Sequence, residues 1–543
     1  MFLKSKSVQN LGLSIISGLL LCAAWSGLPI AWVMFIAFVP LLFILQNLLN
    51  SDKKYKGSKF FAFSFLSFFI WNLITTWWVS IATIEGGVAA VVCYSIFMAL
   101  TMRLIFVVFR KLGKKYGYIA FIVFWISYEY IFMNSDVAWP WLILGNAFAY
   151  NISLIQWYEF VGHIGGTAWI LLINVLIFEL IQRIFNKNIK KKILMPILIV
   201  CTLIFIPIIY SLIRYYTYKE VGKDINVVVI QPNIDPYNEK FDGLPIEEQL
   251  NIILEEANKL ADSDVDYFIA PETAIPKDIY EDEITSNSQI IYLKSFLEYY
   301  PKAKILIGVA TRSFYPNGEG KTETARKFKN SEDYFDIHNS SIQLDTSPEI
   351  QIYHKSRLVP GAEIMPFPKI FGFLQDIFFD FGGTTGTTAG QKDREVFLDK
   401  TNGTNVAVPI CYESVFGEFV AEFSKNGANF IAIITNDGWW GDTQGYRQHE
   451  NYAKLRAVES RKAIARSANT GISCFINQRG DVEQTLAWNK KGALKQIIKA
   501  NDKITFYAKY GDFIARTALF VSALILIMIL YSVSLKKLKK GTK

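Results

Sequence analysis

Val406-Ala407-Val408-Pro409-Ile410-Cys411-Tyr412-Glu413-Ser414 is an apolar, β-type run that ends on a cysteine and then turns polar. A thiol placed where a buried strand gives out, just before a helix, is presented at a sheet edge on a rigidly held backbone. Free cysteine, with a pKa of roughly 8.5, is only a few per cent thiolate at neutral pH, so it needs a base and a positive neighbour to attack anything. Two other strand ends offer them. Glu272 follows the apolar run Tyr267-Phe268-Ile269-Ala270, and Lys355 closes the alternating stretch Ile352-Tyr353-His354. Taken singly, each has a bland reading: a cysteine after a strand is more often a packed thiol, and a Glu or Lys at a strand end is more often solvated.

The order Glu, Lys, Cys, each at the end of a strand, resembles the nitrilase superfamily, whose triad sits in an α-β-β-α sandwich. Further strings narrow the resemblance to the apolipoprotein N-acyltransferases: Pro271-Glu272-Thr273-Ala274-Ile275-Pro276, Leu358-Val359-Pro360-Gly361-Ala362-Glu363 after Lys355, Cys411-Tyr412-Glu413, Asn436-Asp437-Gly438-Trp439-Trp440-Gly441, and Thr505-Phe506-Tyr507-Ala508-Lys509-Tyr510-Gly511-Asp512. It covers nearly the whole chain, because that family also has a multi-helix membrane portion ahead of the nitrilase-like domain.

The resemblance implies a catalytic triad of Glu272, Lys355 and Cys411, with Glu363 and Glu413 as supporting acids beside it. It implies that Tyr412 shapes an acyl pocket and that Trp439 and Trp440 line it. Where the family often has a tryptophan after the Gln231-Pro232-Asn233 motif, this chain offers Tyr237 or Phe241. The implied reaction moves an acyl chain from a membrane phospholipid, through a cysteine thioester, to the α-amino group of the N-terminal diacylglyceryl-cysteine of a lipoprotein. No cofactor, metal or nucleic acid is expected, and the protein is expected as a monomer. A membrane-tethered amidase that passes its acyl group to water, and a lipid-binding or transport protein without catalysis, remain alternatives.

Composition bounds the architecture independently. The chain has 543 residues, is 52% hydrophobic and 15% aromatic, and is too apolar for two soluble domains. Residues 1–213 are almost continuously hydrophobic, 222–512 have the composition of a soluble α/β domain, and 513–543 hold a last apolar segment with a basic tail. A spanning helix needs about 20 mostly apolar residues. That ruler predicts spans at about 8–26, 29–49, 59–84, 88–109, 117–134, 160–182, 193–213 and 515–535.

Basic residues favour the cytoplasmic ends of short loops. Lys4 and Lys6, Lys53 to Lys59, Arg110 to Lys115, Arg183 to Lys192 and Lys536 to Lys543 all fall on one side of such a topology, while the loops at 27–28, 85–87 and 135–159 carry no Lys or Arg. Both termini are therefore expected in the cytoplasm, with the large domain on the far side of the membrane, which the resemblance implies is a bacterial inner membrane. These clusters also explain the net charge of +8, which leaves nothing for a nucleic-acid reading. The basic, apolar N-terminus is read as the first membrane helix rather than a cleaved signal peptide.

Glu129 and His163 lie inside predicted spans and Glu159 at the edge of one, where polar residues are expensive and tend to be functional. Each either holds a lipid head group or braces the fold through a structural pairing, and Trp139-Pro140-Trp141-Leu142 is expected as an interfacial anchor. In the large domain, strands are predicted near 225–230, 304–309, 341–358 (a hairpin) and 428–435, and at 471–477 and 481–487. Helices are predicted at 245–261 and 448–467. Residues 313–338 read as a polar loop, and 364–381 as either a packed helix or an aromatic lid that dips into the bilayer. Gly382 to Gly390 reads as a connection. Cys411 and Cys474 could bridge in an oxidising compartment, which would block the thiol; Cys474 reads instead as an interior strand residue. The four histidines, scattered along the chain, show no zinc-ligand spacing.

Overall fold

The structure, a computed structural model, describes residues 6–52, 54–185, 193–241, 243–365, 367 and 388–541. The chain divides into two compact units, Met1–Thr217 with Asp512–Lys543, and Tyr218–Gly511.

Among the described residues, the first unit holds eight helical segments long and apolar enough to cross a membrane: Lys6–Ala23, Ala31–Leu49, Lys56–Thr76, Ile84–Leu112, Lys114–Met133, Tyr158–Phe185, Leu194–Thr217 and Phe513–Ser532. The second is not continuous. A 3₁₀ turn over Ala31–Phe35 gives way to an α-helix at Val39–Leu49. Backbone groups freed by such a break need partners when lipid surrounds the helix. Asn174 supplies them: its Nδ2 donates to Met34 O at 2.7 Å and its Oδ1 accepts from Phe38 N at 2.8 Å. The last helix joins this unit through Ser522, whose hydroxyl lies 2.9 Å from that of Ser127.

The intramembrane acids are braces rather than open binding groups. Glu129 accepts from Trp125 Nε1 at 3.0 Å, Leu144 N at 2.9 Å and Thr167 Oγ1 at 2.7 Å. Glu159 takes Arg214 on both carboxylate oxygens, at 3.0 and 3.2 Å, and Tyr210 at 2.9 Å. His163 is buried in the same unit. The Trp139-Pro140-Trp141 loop, expected as an interfacial anchor, also makes ring contacts within the protein. Trp141 is buried edge-on against Trp78 at 4.9 Å, and Trp139 stacks on Tyr94 at 4.7 Å, so both rings pack on protein.

Among the described residues, fourteen strands build the second unit. In chain order they are β1 (Lys223–Gln231), β2 (Tyr267–Ile269), β3 (Ile275–Tyr280), β4 (Lys304–Tyr315), β5 (Arg326–Lys327), β6 (Tyr334–Leu344) and β7 (Ile350–His354). There follow β8 (Phe397–Leu398), β9 (Asn405–Ala407), β10 (Phe430–Thr435), β11 (Ile464–Ala468), β12 (Ser473–Ile476), β13 (Val482–Leu486) and β14 (Gly492–Ala500). One sheet runs β14-β1-β2-β4-β6-β5, with β3 beside β4 and β7 beside β6; the other runs β13-β12-β11-β10-β9-β8.

The sheets face each other. Tyr267 meets Phe430 edge-on at 5.2 Å, and Ser467 Oγ on β11 donates to Ile230 O on β1 at 2.7 Å. Helices Ile246–Asn258 and Ser288–Leu297 bury Leu250, Ile253, Ile290, Leu293 and Leu297 against Val228, Phe268 and Ile305 on the outer face of the first sheet. Helices Gly417–Lys425 and Gln444–Ser460 cover the second. The strand and helix periods predict a layered α/β domain, and the layers observed make the four-layer α-β-β-α sandwich that the resemblance implies.

Two expectations fail here for local reasons. The helix predicted over 448–467 ends at Ser460, because Arg461 turns left-handed at φ 51°, and Ile464–Ala468 is strand β11, paired parallel with Ile431–Thr435. A short apolar run does not distinguish strand from helix by period alone. The polar stretch 313–338 is no simple loop. β4 and β6 stay in register from Ile305↔Leu344 out to Tyr315↔Tyr334, and Phe328 packs on Phe314 and Phe335 at 6.0 and 4.5 Å. Most of residues 364–381, expected as a lid or packed helix, and most of the Gly382–Gly390 connection lie outside the described residues.

Candidate active site

Glu272, Lys355 and Cys411, 139 positions apart from first to last in the chain, are gathered where strands of the two sheets end. Glu272 lies three residues past β2. Its turn is tight: Thr273 is left-handed at φ 49°, and Gly308 N on β4 donates to Pro271 O at 3.1 Å. Gly308 is required there, since a Cβ would stand 2.5 Å from Thr273 N and 2.6 Å from Glu272 Cα.

Lys355 follows β7 directly, its N–H bonded to Asn339 O on β6 at 2.8 Å. Its Nζ donates to Glu272 Oε1 at 3.1 Å and to Glu363 Oε1 at 2.8 Å. Asn339 Nδ2 spans the same two acids, at 2.8 and 3.0 Å, and Glu272 Oε2 accepts from Asn436 N at 3.1 Å. Cys411 opens a 3₁₀ turn after β9 and is left-handed at φ 50°. For a residue with a Cβ this conformation costs about 1–3 kcal/mol and is found mostly at functional sites.

Glu413 holds the two halves of the site together. It accepts from Ile410 N at 2.8 Å, Ser356 N at 2.5 Å, Arg357 N at 3.1 Å and Tyr353 Oη at 2.9 Å, which pins the segment carrying Lys355 to the turn carrying Cys411. Burial pushes its carboxyl up to about 7, against the pull of those donors.

The three central groups are almost dry: Glu272 is 5% exposed, Lys355 1% and Cys411 7%. Burial presses the Glu272 carboxyl upward, yet Lys355, Asn339 and Lys240 outweigh it and hold that carboxyl below the ordinary carboxylate range. Lys355 stays charged because Glu272 and Glu363 overcome its own burial. The thiol behaves oppositely. Burial first, and Glu272 second, push it far above the usual cysteine value, with Lys355 and a hydrogen bond from Thr435 pulling back. The resting pair is therefore carboxylate and thiol, an acceptor and a proton to give it. The Cys411 and Cys474 thiols are both free.

The residues with expected binding roles divide. Tyr237, Phe241 and Trp439 form one cluster: Tyr237 meets Trp439 edge-on at 5.2 Å and donates to Trp439 O at 2.9 Å, while Phe241 stacks on Trp439 at 6.2 Å. Trp440 turns the other way, edge-on to His449 at 5.7 Å. Tyr412 is buried against Phe416 at 5.0 Å.

Sequence reasoning missed Lys240 and Asn339. Lys240 is 2% exposed and donates to Glu272 O at 2.9 Å, and its burial lowers its ammonium to about 8. Its neighbour Phe241 was singled out, but nothing in the string turned attention to the lysine. The histidines are less scattered than their spacing implies. His338 and His354 stack at 4.0 Å beside Glu281, and the ligating atoms of these three lie within 4.8 Å of one another. Stacked rings do not aim their in-plane lone pairs at one point, and the ring nitrogens already face Ser313, Ala389 O, Ser340 and Glu281.

Known families match both units. The carbon-nitrogen hydrolase family matches residues 229–502, and the apolipoprotein N-acyltransferase N-terminal domain matches residues 17–176. An apolipoprotein N-acyltransferase of Chlorobaculum tepidum is 28% identical over 94% of this chain and 95% of its own. Namesakes from Geobacter metallireducens and Aquifex aeolicus are each 26% identical, over 93% and 88% of this chain and 92% and 96% of theirs. The chain belongs to the carbon-nitrogen hydrolase family, and its N-terminal match sets it among the apolipoprotein N-acyltransferases of that nitrilase superfamily.

Proposed function

We propose that this membrane acyltransferase moves a fatty acyl chain from a phospholipid to the α-amino group of the diacylated cysteine at a lipoprotein's N-terminus, with Cys411 as the carrier. The observation that supports it most is the dry carboxylate–ammonium–thiol group of Glu272, Lys355 and Cys411. In the first half-reaction Glu272 takes the thiol proton and the sulfur attacks the ester carbonyl. The C–S bond forms as the ester C–O bond breaks, and Glu272 returns the proton to the departing lysophospholipid oxygen. In the second, the acceptor nitrogen attacks the thioester, the C–S bond breaks, and the nitrogen's proton passes through Glu272 back to sulfur. Lys355 and the Tyr412 N–H stabilise the oxyanion of each tetrahedral intermediate, an effect worth roughly 10²–10³ in rate per donor.

The lipid character of both substrates accounts for the membrane unit. The distribution of Lys and Arg favours cytoplasmic termini and a catalytic unit beyond the inner membrane. Tyr237, Phe241 and Trp439 offer an apolar wall for an acyl chain, and the enzyme acts as a monomer.

The test is to incubate purified protein with phospholipid carrying a labelled acyl chain and a diacylated lipopeptide. Label in the peptide amide is the expected result. Label released only as free acid identifies a hydrolase, and no turnover of label identifies a binding protein. Gly308→Ala should slow transfer about 100-fold with the fold retained, because its Cβ must push the Glu272 backbone away and a displacement near 1 Å costs about that much. Transfer kinetics and circular dichroism on the same preparation check this.

A further inference from the structure

Glu272 is held at both of its ends, and one of the holders takes part in no step of the proposed chemistry. Its carboxylate accepts from Lys355, Asn339 and Asn436. Its main-chain carbonyl, in the peptide that leads into the left-handed Thr273, accepts from Lys240 Nζ at 2.9 Å. Lys240 comes from the turn after β1. There Lys240 N donates to Asp235 O at 3.0 Å and Gln249 Nε2 donates to Lys240 O at 2.8 Å, so the backbone that carries the ammonium is fixed as well.

A lysine is almost never buried unless it is paired. Lys240 is 2% exposed, yet among the described residues its ammonium donates to that neutral carbonyl and forms an ion pair with no carboxylate. Lys355 differs, because it is paired with both Glu272 and Glu363. Those three groups together carry one net negative charge, in a place too dry to screen it. Once Glu272 has taken the thiol proton, Lys355 alone would face two anions, the sulfur and Glu363. With Lys240, which attracts both the Glu272 carboxylate and the ionised sulfur of Cys411, the count is two against two.

We propose that Lys240 is the second cation of the active site, a positioning residue that fixes the Glu272–Thr273 peptide and supplies the charge that leaves the thiolate state neutral overall. This charge can be titrated. Burial lowers the ammonium to about 8, against the pull of Glu272 and Cys411, so the cation is present at neutral pH and is lost as pH rises through that value. Glu272 and Cys411 are the ionisable groups it faces. Lys355 and Asp437 act on the same thiol, and Asp437 is paired with Arg466. On its own turn, Asp235 and Glu239 accept from N–H groups of the turn itself.

The proposal rests on Cys411 as the nucleophile, but its test does not require acyl transfer. Cys411 of the full-length enzyme is labelled with iodoacetamide across pH and its peptide quantified by mass spectrometry. In the native protein the logarithm of the labelling rate should climb with pH and flatten above about 8. Beyond that point, forming the thiolate beside the ammonium puts one proton on nitrogen for each one that leaves sulfur. Lys240→Met keeps most of the side-chain length and loses the charge. Its labelling at neutral pH should be about tenfold slower, the equivalent of one pKa unit, and should climb without the flattening. A native profile with no flattening, a flattening that persists in Lys240→Met, or a variant that labels as fast as native at neutral pH each overturns the proposal. The native profile needs no variant, so it decides the matter even where Lys240→Met does not fold. Acylation of Cys411 by phospholipid is scored separately and bears on the nucleophile alone.

Discussion

Cys411→Ser is expected to reduce acyl transfer by on the order of 10⁴-fold or more, comparable to removal of other covalent nucleophiles, while leaving the protein folded. The change is nearly isosteric at a site 7% exposed, so little packing is lost. The hydroxyl cannot replace the thiol because it is far less acidic and far less nucleophilic, and Glu272, held below the ordinary carboxylate range, is too weak a base to ionise it. Initial rates with labelled phospholipid and lipopeptide, beside a thermal unfolding curve, check both halves of the expectation.

Lys355→Met should be nearly as severe, with a different signature. Lys355 Nζ is the cation between Glu272 and Glu363, and Asn339 alone would then bridge two carboxylates. Two buried acids sharing one site cannot both stay ionised, so one takes up a proton. Transfer should fall roughly 10³-fold through the lost oxyanion donor and the partly protonated base, and stability by about 3–5 kcal/mol, as for a broken buried ion pair. The sign of the pH effect follows from Glu272. With its folded value depressed, its basic form is present above that value and is lost only as pH falls through it. Without Lys355 that value rises, so the acid limb of the rate profile should move to higher pH. Lys355→Arg should not rescue, because a planar guanidinium does not fit where a compact ammonium meets two acids.

Glu272, Lys355 and Cys411 were legible as candidates because each stands at the end of a recognisable apolar strand and is followed by a motif. The sequence carried the eight spans because an apolar run near 20 residues has few other meanings. It misread Ile464–Ala468, where a left-handed Arg461 separates helix from strand without a glycine or proline to mark it. It misread 313–338 because the segment is rich in polar residues, while the ring contacts that hold it, Phe328 on Phe314 and Phe335, join residues that are not adjacent in sequence. It left open whether Glu129 and Glu159 hold a head group or brace the fold, because the partners that occupy them, Thr167 and Arg214, lie 38 and 55 residues away. Lys240 and Asn339 were out of reach for the same reason. A polar residue made important only by what folds onto it leaves no local pattern.

All of this depends on Cys411 becoming acylated. The direct measurement is to incubate the enzyme with phospholipid and no acceptor, quench, digest and read the mass of the Cys411 peptide, with and without hydroxylamine. The account predicts one fatty acyl group on Cys411, removed by hydroxylamine and discharged when lipopeptide is added before the quench. An unmodified Cys411 in a preparation that still acylates lipopeptide, or an acyl group on any other residue, would contradict it.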